Sequence, residues 1–193
     1  MQLLSILELL KQWDTQLFLL INGAHSTLLD SMMHFISYKL FWIPLYLILL
    51  VLLAQKLGKK TFLLLVFVAI TIAITDQVCL HFFKNNFQRL RPCHDAILMA
   101  KVHLVDPCGG WFGFVSSHAA NSFALAFFLF PCFEFFGRYR YLFFIWAAIV
   151  SYSRIYLGQH YPSDVFVGAL VGLMVAAFVS KAYIYTQQKL DHV

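Results

Sequence analysis

Three short blocks concentrate side chains able to handle a multiply charged anion. The first is Lys84-Asn-Asn-Phe-Gln-Arg-Leu-Arg91-Pro92, the second Val115-Ser116-Ser117-His118, and the third runs from Ser153-Arg154 to His160-Tyr-Pro-Ser-Asp164. Between them, Lys84, Arg91 and Arg154 supply cations, His118 and His160 imidazoles, and Asp164 a carboxylate. Cations converging on one small site call for an anion, and a phosphate with several terminal oxygens suits the forked geometry of Arg. Ser116 and Ser117 precede an apolar run, and the first N–H groups of a helix are unpaired and favour anions. His160 and Asp164 are four residues apart. The carboxylate can therefore hold one imidazole nitrogen and leave the other free as a nucleophile. His118 is the spare imidazole, placed to give a proton to a leaving oxygen.

Each residue alone has an ordinary reading. Lys84 and Arg91 would be interfacial anchors that snorkel to headgroups. His118 would be structural, Asp164 an N-cap beside Ser163, and Arg154 a partner for a helix C-terminus. Co-occurrence decides against these readings, because anchoring and capping explain none of the spacings.

The elements that must position these blocks are membrane helices. Of the 193 residues, 61% are hydrophobic and 12% charged, against about 25% charged in a soluble domain. Mean hydropathy is +0.76. A span needs about 20 mostly apolar residues. The stretches 40–56, 61–83, 117–136, 141–156 and 165–185 read as spans. Residues 1–37, with Leu3, Leu4, Leu7, Leu10 and Leu17 near helical spacing and Glu8, Lys11 and Asp14 between them, read as an amphipathic helix lying in the interface. A sixth span through 17–36 is the alternative, made poor by Asn22, Gly23, His25 and Asp30. The expected fold is all-α: one domain over 1–193, a polytopic transmembrane helix bundle of five to six spans over 40–185 with an N-terminal interfacial segment. The N-terminus lacks the basic-then-apolar order of a cleavable signal. The net charge of +5 forms no basic face outside short loops, which argues against nucleic acid as a partner.

Five antiparallel spans bring all three blocks to one face. Each face carries seven Lys and Arg residues, but three on the block-bearing face are Lys84, Arg91 and Arg154. Setting those aside, the positive-inside rule puts the opposite face in the cytoplasm. Cys93 and Cys108 lie in one loop on the outer face. An oxidising environment favours a bridge between them, the alternative being two free thiols. Asp76 sits inside the second span, where an ionisable group is a functional-site hypothesis by default; its reading here is a structural hydrogen bond in the bundle.

The three blocks resemble the type 2 phosphatidic acid phosphatase superfamily, with its K-x6-RP, PSGH and SR-x5-H-x3-D motifs. The first and third match completely, at Lys84, Arg91, Pro92, Ser153, Arg154, His160 and Asp164. The second keeps Ser116 and His118 but has Val115 for Pro and Ser117 for Gly. The resemblance covers roughly residues 40–185. It implies that His160 attacks phosphorus to form a phosphohistidine, Asp164 orients His160, and His118 protonates the leaving group. It further implies that Lys84, Arg91, Arg154 and Ser116, with the neighbouring Ser117, bind the phosphoryl oxygens, and that no cofactor is needed. Phosphoryl transfer asks mainly for positioning and charge stabilisation.

No metal site is expected, since Cys93, His94, Asp95 and Cys108 show no tetrahedral spacing. The substrate should be an amphiphile reached from the outer headgroup layer: undecaprenyl diphosphate, phosphatidylglycerol phosphate, phosphatidic acid or a lipid A phosphate. The expected setting is a bacterial inner membrane with the site facing the periplasm. Two rivals stand beside a metal-independent lipid phosphatase. A vanadate-dependent haloperoxidase shares the anion site but is soluble. A non-catalytic binder or carrier of lipid phosphates would need the cations but not the His160–Asp164 pair.

Overall fold

A computed structural model describes residues 2–191, and the side chains of residues 5–191. The ends of the expected domain, Met1 and residues 192–193, and the side chains of Leu3 and Leu4 on the expected amphipathic face, lie outside the described residues. Among the described residues the regular elements are helices, α1 (Gln2–Gly23), α2 (Thr27–Ser37), α3 (Ile43–Leu57), α4 (Lys60–Gln77), α5 (Asn85–Phe87), α6 (Ser117–Leu129), α7 (Leu142–Tyr156) and α8 (Pro162–Asp191), with a long, mostly irregular loop between α5 and α6. Among the described residues there is no strand, only an isolated antiparallel bridge between Leu90 and Phe112.

The N-terminal region is two helices rather than one. Ser26 ends the break between them, its Oγ accepting from Leu29 N at 3.4 Å to start α2, as an N-cap does. Asp14, Phe18 and Asn22, four residues apart, form one face of α1. They meet Ser163, Tyr161 and the Tyr156 carbonyl respectively. α1 therefore lies across the ends of α7 and α8 where the site is.

The second expected span continues past its α-helical part, through a π-helical stretch Val78–Lys84 into α5. The third stops early. α6 ends at Leu129, and a tight helical stretch Pro131–Tyr141 bends the chain by 114° before α7. Three helical stretches are long and apolar enough to cross a membrane, Lys39–Leu57, Lys60–Phe87 and Pro162–Asp191, or four if the bent pair of α6 and α7 counts as one. α6 and α7, at 13 and 15 residues, fall short singly. Lys60 at the start of α4 pairs with Asp191 at the end of α8 at 2.7 Å, so those termini share the end opposite the site.

α6 and α8 form the centre of the bundle. Gly168 and Gly172 face Ser116 and Ala120, and a Cβ on Gly172 would stand 2.0 Å from the Ala120 carbonyl oxygen. Small residues at this spacing let two backbones touch inside a membrane. The contact is extended by Ser116 N donating to the Asp164 carbonyl at 3.0 Å. It brings the start of α6, with His118, beside the start of α8, with Asp164.

Candidate active site

His160 sits in the turn between α7 and α8, 2% exposed. The turn depends on Gly158, whose φ of +76° is in the left-handed region and whose Cβ would stand 2.6 Å from Val102. Asp164, in the first turn of α8, is fully buried. Its Oδ2 accepts from Tyr161 N at 3.0 Å and lies 3.5 Å from His160 Nδ1. That separation is an ion-pair contact, long for a hydrogen bond; catalytic hydrogen bonds in unliganded sites are often long and tighten on binding. On its other side, His160 Nε2 faces Arg91 Nη1 at 2.8 Å. The ring is thus held between a carboxylate at Nδ1 and a guanidinium at Nε2. Burial, and then the positive charges of Arg91, Arg154 and Lys84, hold His160 well below its ordinary 6.5. The imidazole is neutral, with its Nε2 lone pair turned to the cation side of the site and accepting from Arg91 Nη1, the nitrogen that serves as nucleophile once a phosphoryl group takes that donor.

The phosphate-binding candidates surround this nitrogen. Arg91 is fixed by its Nε donating to the Gly110 carbonyl at 2.6 Å and its Nη1 to the Gln159 carbonyl at 3.0 Å. Lys84 Nζ donates to Ser117 Oγ at 2.9 Å, and Arg154 Nη1 to Ser37 Oγ at the end of α2. Lys84, Arg91, Ser117, His118, Arg154 and His160 all line one cavity of about 680 Å³. Asp164 and Ser116 stand behind that wall. Ser116 is fully buried and caps α6, its Oγ facing Ala119 N at 3.5 Å.

Three contributors were not legible as such in the sequence. Lys39, read as one more outer-face cation, also lines the cavity. Arg89, a variable position inside the first block, donates to Asp164 Oδ1 at 2.8 Å and Ser163 Oγ at 2.7 Å, and lies 4.0 Å over the Tyr161 ring. Asp14 of α1 accepts from Arg89 Nη2 at 2.7 Å and from Ser163 N at 2.8 Å. The only available signal for Arg89 was its place between Lys84 and Arg91. Nothing local marked Asp14.

The cavity continues away from the cations between α3, α4, α6 and α7, past Leu49, Leu53, Leu64, Val68, Leu129 and Phe143. From Lys39 to Leu53 along α3 is roughly 20 Å at 1.5 Å per residue. α3 packs loosely, with 6% of its span buried. Trp42, just before α3, and Tyr46 within it meet Trp146 of α7 edge to face at 5.8 and 6.3 Å. The arrangement can hold a phosphoryl group at one end and hydrocarbon along its length.

The sulfurs of Cys93 and Cys108 stand at bonding distance, with Cα atoms 6.1 Å apart; they close the loop 93–108 between Arg91 and the Gly110 and Trp111 carbonyls that Arg91 donates to. Two groups of potential metal ligands lie on this face, Cys93 with His94 and Cys108, and His25 with Asp30 and His103. In the first, the sulfurs are bonded to each other and His94 Nε2 donates to the Gly109 carbonyl at 2.8 Å. In the second, the His25 and His103 rings stack 3.7 Å apart and only 6° from parallel, so their in-plane lone pairs cannot meet at one ion. Neither group lines the main cavity.

The chain is 41% identical over 171 residues to a lipid A 4'-phosphatase of Bacteroides thetaiotaomicron, covering 86% of this chain and 75% of that protein. It is 36% identical over 187 residues to a lipid A 4'-phosphatase of Porphyromonas gingivalis, covering 95% and 78%. The crystal structure of Aquifex aeolicus LpxE superposes with a TM-score of 0.62 at 29% identity, over 86% of this chain and 94% of that one. A phosphatidylglycerolphosphate phosphatase from Bacillus subtilis shares the fold, with a TM-score of 0.64 at 21% identity over 92% and 87%. Residues 60–188 match the PAP2 superfamily, and with its apolar helices the chain belongs to that superfamily as an integral-membrane member.

Proposed function

We propose that this protein is a metal-independent phosphatase of an amphiphile, most simply a lipid A-type phosphate, acting through a phosphohistidine. The observation that carries the reading is the clamping of His160, with Asp164 at Nδ1 and a cavity-lining cation at Nε2. A phosphoryl group held by Arg91, Lys84 and Arg154 presents phosphorus to Nε2. As the N–P bond forms, the P–O bond to the lipid breaks and His118 gives its proton to the leaving oxygen. Water then attacks phosphorus, His118 takes one of its protons, and inorganic phosphate departs with His160 restored. The cations stabilise charge spread over the equatorial oxygens, the largest demand of phosphoryl transfer.

A binder or carrier without turnover needs no buried His–Asp pair, so the pair favours the enzyme. The choice of lipid A among the lipid phosphates is supported by the two curated relatives. Five crossings, with α6 and α7 as separate short spans, are the reading supported by the alternation of chain ends between the site and the Lys60–Asp191 pair. With the cation-rich loops in the cytoplasm, the site faces the periplasm of a bacterial inner membrane.

The test is phosphate release by purified protein from a panel of lipid phosphates with EDTA present. Lipid A phosphate should be the best substrate, vanadate should inhibit, and His160→Ala should be inactive while still binding the lipid. Strict dependence on Mg²⁺, or a His160→Ala protein within tenfold of the parent, contradicts the mechanism. A membrane-impermeant thiol reagent applied to cells should reach a Cys placed in the 95–107 loop and not one at position 138; the reverse pattern moves the site to the cytoplasm.

A further inference from the structure

One polar pair lies inside the cavity below the phosphate end. Asn121 of α6 donates from Nδ2 to Asp76 Oδ1 of α4 at 2.8 Å, and both residues line the cavity. Asn121 is three residues after His118 on the same helix, so it sits about 4.5 Å deeper along the axis. Beyond it the lining becomes aliphatic, with Ile72, Leu125 and Leu129.

The pair binds itself only in part. Asn121 Oδ1 is buried with no hydrogen-bond partner, and Oδ2 of Asp76 makes no hydrogen bond to the protein among the described residues. With Asn121 Nδ2 committed to Asp76, the groups left over are acceptors. A buried acceptor without a donor is costly, more so for a charged group. At membrane depth lipid tails cannot satisfy it. A substrate that fills the cavity brings its own groups to this level.

We propose that Asp76 and Asn121 form a subsite that takes a hydrogen-bond donor of the substrate, an amide N–H or a hydroxyl, about one helical turn from the scissile phosphate. The proposal rests on the phosphatase reading and names the substrate feature that the site selects. An isoprenoid diphosphate has no donor in its chain, and the ester carbonyls of phosphatidic acid only accept. A phosphorylated amino sugar with amide-linked hydroxyacyl chains carries donors of both kinds close to its phosphate. Trp146 of α7 lines the same cavity with its Nε1 buried and unpaired, a donor for a carbonyl of the substrate's acyl chains.

The test compares two synthetic substrates with equal chain lengths. One is an N-acylglucosamine phosphate with a hydroxyacyl chain; the other is its isostere, with ester in place of amide and hydrogen in place of the chain hydroxyl. In detergent micelles the parent should favour the first by at least tenfold in kcat/KM, mainly through KM, the order expected when a hydrogen bond to a charged group is lost. In Asp76→Asn and Asn121→Leu that ratio should fall to within about threefold of unity. Reading a ratio separates recognition from a general loss of packing, which lowers both rates together. Asp76→Asn keeps shape, and so carries the test if Asn121→Leu does not fold. A parent that does not discriminate, or variants that keep the parent's ratio, overturns the subsite and leaves the phosphatase reading standing. Release of phosphate from neither substrate by the parent overturns both.

Discussion

Arg89→Met should cripple turnover without removing any group that touches substrate. Asp164 is fully buried and holds two contacts from the protein besides His160, Arg89 Nη1 at 2.8 Å and Tyr161 N at 3.0 Å. Removing one partner of a buried ion pair costs about 3–5 kcal/mol. The Arg89 side chain is 25% exposed, so water softens the loss, and about 2–3 kcal/mol is a fair discounted figure. If that cost is felt where Asp164 holds His160, about 1.36 kcal/mol per tenfold converts it to a kcat lower by roughly 30- to 150-fold. Met keeps the contact with Tyr161 approximately filled. Arg89 does not line the cavity, so KM should move less than about threefold, a split that a lipid-binding role would not give. The assay is phosphate release in micelles, with thermal unfolding of the same preparation. Arg89→Lys should recover part of the rate, because an ammonium replaces one contact of the fork. Asp14→Asn should fall between Arg89→Lys and the parent. A folded Arg89→Met protein with kcat within threefold of the parent, or a loss confined to KM, refutes the claim that this arginine positions the His160–Asp164 pair.

His118→Ala should slow release from alkyl monophosphates by about 10²–10⁴-fold and much less from substrates with good leaving groups; equal losses on both would remove His118 as the proton donor. Reduction of Cys93–Cys108, whose loop spans a separation of 15 residues, should lower apparent stability by about 3 kcal/mol on chain-entropy grounds and lower activity by freeing the loop that holds Arg91. Quantitative alkylation of both thiols in the non-reduced protein would show that no bridge exists. Because His160 is held below 6.5, the folded protein binds fewer protons there than the unfolded chain. Its contribution to stability is present above the unfolded value and is lost as pH falls below it. The melting temperature of the parent should therefore drop more between about pH 7.5 and about pH 5 than that of His160→Gln, and parallel drops would remove His160 as the cause.

The candidate catalytic pair was legible because its relation is local. His160 and Asp164 are four apart across a helix start, and that spacing alone puts them within reach of each other; Arg91 was legible by type, but it meets His160 across 69 positions. The helical class was equally legible, since 61% hydrophobic residues in long runs leave the backbone few ways to satisfy itself in lipid except as helices. Composition did not carry the lengths. Pro131 and the bend after Leu129 shorten α6, and a π-helical stretch prolongs the helix after Gln77, because those boundaries are set by packing and not by hydropathy. What only tertiary structure decided is which distant residues meet. Asp14 reaches Ser163 across 149 positions and Arg89 reaches Asp164 across 75, and neither separation leaves a trace in periodicity. Asp76 was visible as an oddity in a span, but its partner Asn121, 45 residues away, and the cavity they share exist only because Gly168 and Gly172 let α8 draw α6 into the centre of the bundle while α3 stays loosely packed at its edge.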